Sequence, residues 1–292
     1  MEVSVVGLGC NNFGGRLDLA QTETVVDAAL DAGINFFDTA DIYGKTLSEE
    51  YLGKLLGARR NKIVLATKFG MEIDENRKGA RPEYIRQAAE DSLRRLNTDH
   101  IDLYQLHDPD ESVPIADTLG ALNELVQAGK VREIGCSNFS AEQLREARDA
   151  AKGAKFVSVQ NEFSLLHLEP VPEVLPECAA EGLAFIPYFP LSSGLLTGKY
   201  RKGKPLPSGT RIAEGSRWLE GDVLDKVEKL IAFAEGKGHT ILELAFGWLL
   251  AHKPVASVIA GATKVEQIRA NVGAVGWTLS EAEVAELSGL VG

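Results

Sequence analysis

Eight short apolar runs, rich in β-branched and aromatic residues, alternate along the chain with amphipathic stretches of helical period. The runs are "VSVVGLG", "INFFDTA", "IVLATKF", "IDLYQLH", "REIGCSN", "FVSVQNE", "LAFIPYF" and "ASVIAGA". Helical patterns fall at Thr22–Ala32, Ser48–Leu56, Pro82–Leu96, Pro114–Ala128, Ala141–Ala151, Val171–Glu181, Val223–Glu235 and Ile241–His252. Two more, Val265–Val275 and Ser280–Leu290, follow the last run. Strands separated by helices pair in parallel, and a parallel sheet is covered on both faces, which accounts for near-continuous apolar runs. Eight such units in 292 residues predict a single α/β domain over 1–292, a closed (β/α)8 barrel of the TIM type. An open doubly wound sheet is the competing architecture. The irregular stretch from Thr197 to Glu220 reads as a functional loop.

The opening "VVGLGCNNFGGR" invites comparison with a dinucleotide fingerprint, with Asp38 some way downstream. The G-x-G-x-x-G pattern fails at its third position, which is Asn12. The helical pattern also starts too late, near Thr22, for a helix N-terminus to hold phosphate there. This weakens the open-sheet alternative.

A formal net charge of -11 disfavours nucleic-acid or anionic-membrane partners. The three cysteines, Cys10, Cys136 and Cys178, are scattered and lack a C-x-x-C spacing. That pattern argues for a reducing compartment and against a disulfide framework or a cysteine-built metal site. The N-terminus has neither a basic region nor a signal-length apolar run. The longest charge-free stretch, Gly182–Gly198, is broken by Pro187 and Pro190. A cytoplasmic protein is expected.

In barrels of this kind the strand C-termini form the working face. Here the second strand ends at Asp38, with Tyr43 beyond it, the third at Lys68 and the fourth at His107. The fifth ends at Ser137 and Asn138, the sixth at Gln160, the seventh at Tyr188 and the eighth in "GATK". One polar strand end is ordinary; so many together are not. The first four make a proton-delivery site. A lysine cation favours tyrosinate, so Lys68 should pull Tyr43 below the ordinary phenol value. Asp38 keeps Lys68 charged, and His107 can orient a carbonyl oxygen. Alkoxide formation also needs a hydride, which no side chain supplies, so a nicotinamide or flavin is implied.

The segments "NFFDTADIYG", "SEEYLGKLLG", "LATKFG", "YQLHDPD", "IGCSNF", "VQNEFSLL", "PYFPLSSGLLTGKY" and "VIAGATKVEQIRANVGA" closely resemble the aldo-keto reductase superfamily, in order over nearly the whole chain. The resemblance implies a barrel oxidoreductase that uses NADPH, with NADH a weaker alternative, and no metal. Carried over by position, Tyr43 is the general acid, Lys68 and Asp38 tune it, and His107 orients the carbonyl. Gly9 and Cys10 would meet the nicotinamide ribose. Ser137, Asn138 and Gln160 would hold the carboxamide, and Tyr188 would stack on the ring. Phe189 and Pro190 would join the cofactor wall. The backbone from Leu191 through Ser193 and Gly194 to Leu195, with Lys199, would line the pyrophosphate. Thr263, Lys264 and Gln267, with Arg211, would surround the adenosine 2′-phosphate, Asn271 would meet the adenine, and Gly261 would also touch the cofactor. Asp38 counts with both sets, as a partner of Lys68 and not as a ribose ligand.

Three positions depart from the superfamily's habit. Asn11 stands where many members carry Trp or Met, implying a more polar pocket wall. Phe189 replaces a common serine. Ala270 replaces a frequent glutamate, implying a weaker hold on adenine. The chain stops soon after its last helix, so an open substrate site is expected. The leading reading is reduction of an aldehyde or ketone. Two others remain: a sugar or polyol dehydrogenase running oxidatively, and an NADPH-sensing regulatory module resembling potassium-channel β-subunits. Those subunits lack the histidine present here as His107. Sequence leaves the substrate and oligomeric state open.

Overall fold

A computed structural model describes residues 1–291; Gly292, the last residue of the expected domain, lies outside them. Its strands are β1 (Val6–Gly9), β2 (Phe36–Asp38), β3 (Val64–Phe69), β4 (Ile101–Leu106), β5 (Val131–Ser137), β6 (Phe156–Glu162), β7 (Ala184–Tyr188) and β8 (Val258–Gly261). All the pairings are parallel and join neighbours from β7 back to β1, with β1 also pairing β8. The remaining seam, between β7 and the segment leading into β8, is held by the bridge Phe185–Val255. There the Phe185 amide donates to Pro254 at 2.7 Å, and the Ala256 amide donates to Phe185 at 3.0 Å. The barrel expected from the alternating pattern is present.

The helices are α1 (Leu19–Asp31), α2 (Leu47–Leu56), α3 (Pro82–Leu96), α4 (Ile115–Gln127), α5 (Ala141–Ala150), α6 (Val174–Glu181), α7 (Val223–Gly236), α8 (Ile241–Leu250), α9 (Val265–Gly273) and α10 (Glu281–Val291). α1 starts three residues before the expected Thr22, because Asp18 and Gln21 form a reciprocal capping box. α6 starts three residues later than expected, at Val174. β1, β2 and β8 are shorter than their apolar runs, since only the ladder-bonded part of each is strand, whereas β6 fills its run completely. Apolar residues fill two layers: a large sheet–helix layer, and a small interior plug of Phe36, Ala66, Leu103, Ile186 and Ile259. Gly7 faces that plug, where a Cβ would lie 2.9 Å from both Phe36 and Ile259. The opening glycine therefore serves interior packing.

Side chains on a strand alternate between faces, so residues two positions beyond the plug also point inward. Those residues are Asp38, Lys68, Gln105, Tyr188 and Gly261. One register of the barrel thus carries hydrophobic filler, and the next carries polar chemistry at the mouth.

Candidate active site

Asp38 and Lys68 are almost fully buried, with Lys68 Nζ 2.6 Å from Asp38 Oδ2 and 3.0 Å from the Thr39 carbonyl. The second carboxylate oxygen of Asp38 accepts from Gln105 Nε2 at 3.0 Å and from Gln160 Nε2 at 2.9 Å. These three donors, shared between the two oxygens, fix the orientation of Asp38 as an acceptor for Lys68. The ammonium lies 5.2 Å from the Tyr43 ring centre, and that ring meets His107 edge-on at 5.9 Å between centroids. Backbone bonds fix the turn carrying Tyr43: Thr39 donates to Ala66, Asp41 to Lys68 and Tyr43 to Ala40.

Burial works against the charge on Lys68, but Asp38 and then Tyr43 outweigh it and hold the ammonium above its ordinary value. For Tyr43, burial is the largest influence and pushes the phenol above its ordinary value, while Lys68 pulls it back only in part. The expectation of a phenol below the ordinary value is therefore corrected: at this depth desolvation of the phenolate outweighs the neighbouring cation. His107 is pushed down to about 3, first by burial and then by Lys68. It is a neutral imidazole, and its buried Nδ1 has no hydrogen-bond partner among the described residues.

A cleft of about 760 Å³ opens above these groups. Of the site residues named from sequence, all but Lys68 and Leu195 line it; both of these are fully buried. Ser137 Oγ donates to the Gln160 carbonyl at 2.7 Å, and Tyr188 OH donates to Asn138 Oδ1 at 2.9 Å. Asn138 Nδ2 donates to the His107 carbonyl at 3.1 Å and to Asp108 at 2.6 Å. After β7 the backbone takes positive φ at Phe189, Ser192, Ser193 and Gly194. Successive residues in this region curl the chain so that amide N–H groups can face one anion. A Cβ on Gly194 would sit 2.7 Å from Lys199 Nζ, so this glycine lets the lysine lie against the loop.

The stretch 197–220 reaches back over the barrel mouth. Its buried Ile212 anchors it, and Ser208 through Arg211 line the cleft. Arg211 lies over the Phe189 ring at 5.8 Å and donates to Asn12 Oδ1 at 3.4 Å. Asn12 in turn donates to the Ala262 carbonyl at 3.3 Å, joining this loop to those after β1 and β8. Arg16, Lys199, Arg211 and Lys264 all line the cleft, and none has a carboxylate partner among the described residues. Unpaired cations around a concave surface, in a protein of net charge -11, suit a polyanionic ligand.

The aldo/keto reductase family model matches residues 5–291. The chain belongs to the aldo/keto reductase family. It is accordingly an oxidoreductase, of a family that uses nicotinamide nucleotides. A probable voltage-gated potassium channel subunit beta of Arabidopsis thaliana is 36% identical over 290 residues, covering 94% of this chain and 88% of that protein. The holo form of an aldo-keto reductase from Bacillus halodurans superposes with a TM-score of 0.82 at 34% identity, over 99% of this chain and 92% of that one. A glycerol dehydrogenase from Gluconobacter oxydans superposes at 0.85 and 31% identity, over 99% and 91% of the two chains.

Gln105 and Arg16 are among the residues of the site that the sequence does not single out. Gln105 is two positions before His107 and two after Leu103, so strand alternation alone marks it as inward-facing. Arg16 follows "NFGG" and carried no local signal; only the folded loop places it in the cleft.

Proposed function

We propose that the protein reduces an aldehyde or ketone with NADPH, and that Tyr43 delivers the proton. The observation that carries this reading is the buried Lys68–Asp38 pair at 2.6 Å, with the Lys68 ammonium held against the Tyr43 ring. A cofactor fits the residues present. The Phe189–Gly194 curl with Lys199 offers an anion cradle, Tyr188 offers an aromatic face, and Lys264 with Arg211 offers unpaired charge for a 2′-phosphate. When bound, the nicotinamide supplies the hydride that the side chains lack.

The chain's own groups do the rest. Neutral His107 donates an N–H to the carbonyl oxygen and fixes its direction. The Tyr43 phenol, protonated through neutral pH, gives its proton to the oxygen as negative charge builds there. Lys68, already in contact with the phenol, then faces a tyrosinate, and because that contact strengthens as charge develops on the phenol oxygen it favours the transition state. Asp38, held by Gln105 and Gln160, keeps that ammonium in place. An assay of purified protein with NADPH and a panel of carbonyls, followed at the nicotinamide absorbance, tests the reading. Absence of turnover on every aldehyde and ketone, with NADPH still bound, would favour the second reading.

That second reading is a cofactor-holding regulatory subunit, favoured by the similarity to the Arabidopsis channel subunit. Oxidative use of the same site on a polyol is the reverse reaction, and the likeness to the Gluconobacter glycerol dehydrogenase favours testing it.

A further inference from the structure

Behind the wall formed by β2, β3 and β4, facing α2 and α3, lies a second buried polar cluster that the proposed chemistry does not use. Asp41 is 1% exposed, and neither of its carboxylate oxygens has a hydrogen-bond partner among the described residues. The Ile42 amide lies nearby without completing one. The groups that face Asp41 are Glu49 on α2, Arg95 and Tyr84 on α3, Tyr104 on β4 and, more remotely, Lys68 on β3. The hydroxyls of Tyr84 and Tyr104 are likewise buried and unpartnered among the described residues.

Charge counting decides the state of this cluster. Glu49 takes the Arg95 guanidinium at 2.6 Å and the Thr67 hydroxyl at 2.5 Å. Lys68 is committed to Asp38. Asp41 is then left without a cation, and an unpaired buried carboxylate is costly enough that the group keeps its proton. Its position matters because its amide donates to the Lys68 carbonyl at 3.1 Å and Tyr43 follows two residues later.

We propose that Asp41 is an uncharged positioning residue for Tyr43: as a carboxylic acid it packs among Tyr84, Tyr104 and the Glu49–Arg95 pair and holds the Asp38–Tyr43 turn on β3, and its ionisation loosens that turn. Burial first, and then Glu49, push the Asp41 carboxyl up to about 8. Tyr43 stays above the ordinary phenol value and His107 titrates near 3, so a transition close to pH 8 belongs to neither. The inference rests on the reading of Tyr43 as proton donor only for its effect on rate; the loosening of the turn stands apart from it.

The test is amide hydrogen exchange of residues 39–43, corrected for intrinsic rates, between pH 6 and 9.5 in wild type and Asp41→Asn. The carbonyl-reduction profile is recorded alongside. Protection in the wild type should fall above pH 8, with the rate dropping by up to about tenfold per further pH unit. Asp41→Asn, which cannot ionise, should lose both alkaline transitions. Should that variant fail to fold, the carboxylic-acid infrared band of the wild type serves instead, and it should disappear between pH 7 and 9. Equal alkaline behaviour in wild type and variant, or a wild type with no ionisation in this range, would overturn the proposal. Loss of protection without any measurable carbonyl reduction would instead count against the proposed reaction and leave the role of Asp41 standing.

Discussion

At the scale of single residues, the site works by holding groups away from their solution behaviour. Tyr43→Phe removes the proton but keeps the ring that Lys68 and His107 face. Steady-state kinetics should show carbonyl reduction falling by ~10²–10⁴-fold with NADPH affinity nearly unchanged. Because burial keeps the Tyr43 phenol above its ordinary value, Tyr43 itself should impose no loss of reduction below pH 10. In the proposed reaction alcohol oxidation needs the phenolate as base, so its rate should climb with pH up to about 8, where ionisation of Asp41 sets in. A stopped-flow comparison of the two directions checks this. His107 makes a separate prediction about stability. Its folded value near 3 lies below the ordinary 6.5, so the unfolded chain binds a proton that the folded chain refuses between those limits. Stability conferred by neutral His107 is complete above pH 6.5 and is lost as pH falls towards 3. At pH 5 the loss is about 2 kcal/mol, at about 1.4 kcal/mol per pH unit. Urea unfolding at pH 5 and 7 should show this slope in the wild type and a flatter one in His107→Gln.

At the scale of elements, two substitutions separate the parts of the proposed cofactor wall. Gly194→Ala puts a methyl where Lys199 now lies, at a φ of 97° that disfavours side chains. Strain there is worth about 1–3 kcal/mol, so the Michaelis constants for NADPH and NADH should rise together, by roughly tenfold or more. Lys264→Ala should raise the constant for NADPH alone, by roughly tenfold, the worth of one charge-assisted contact. Parallel changes for both cofactors in Lys264→Ala would remove that residue from the 2′-phosphate.

The elements also show what the sequence could and could not disclose. Alternating apolar runs and helices specify the order and number of barrel units, because each strand must be covered on both faces. Strand ends such as Asp38, Lys68 and His107 were legible because a polar residue closing an apolar run is out of place in a core. Boundaries were less legible: the Asp18–Gln21 box lies upstream of the apolar stripe that marks α1. The ionisation of Tyr43 was misjudged because a charge partner is visible in sequence, whereas burial depth is a property of the closed barrel. Asp41 was passed over for the same reason, its missing partner being a fact about three separate elements.

At the scale of the whole molecule, a ligand bound only by the folded barrel adds its binding free energy to the fold. At one hundred times its dissociation constant, NADPH should raise unfolding free energy by about 2.7 kcal/mol. Thermal melts with equal concentrations of NADPH and NADH therefore rank the two cofactors without any substrate. A larger shift with NADH would contradict the proposed choice.

The Phe185–Val255 seam gives that coupling a location. Every other strand junction is a ladder, whereas this one is a clasp of two hydrogen bonds. A hoop under thermal load parts at its clasp, so the free protein should open first between β7 and β8. The curl from Phe189 to Gly194 hangs from one side of the clasp, and Gly261 to Lys264 hang from the other. A molecule gripped by both would act as a rivet across the weakest joint. Exchange protection of the Phe185 and Ala256 amides should then rise more on adding NADPH than protection of the β4–β5 ladder, and cleavage by protease within 190–256 should slow in step.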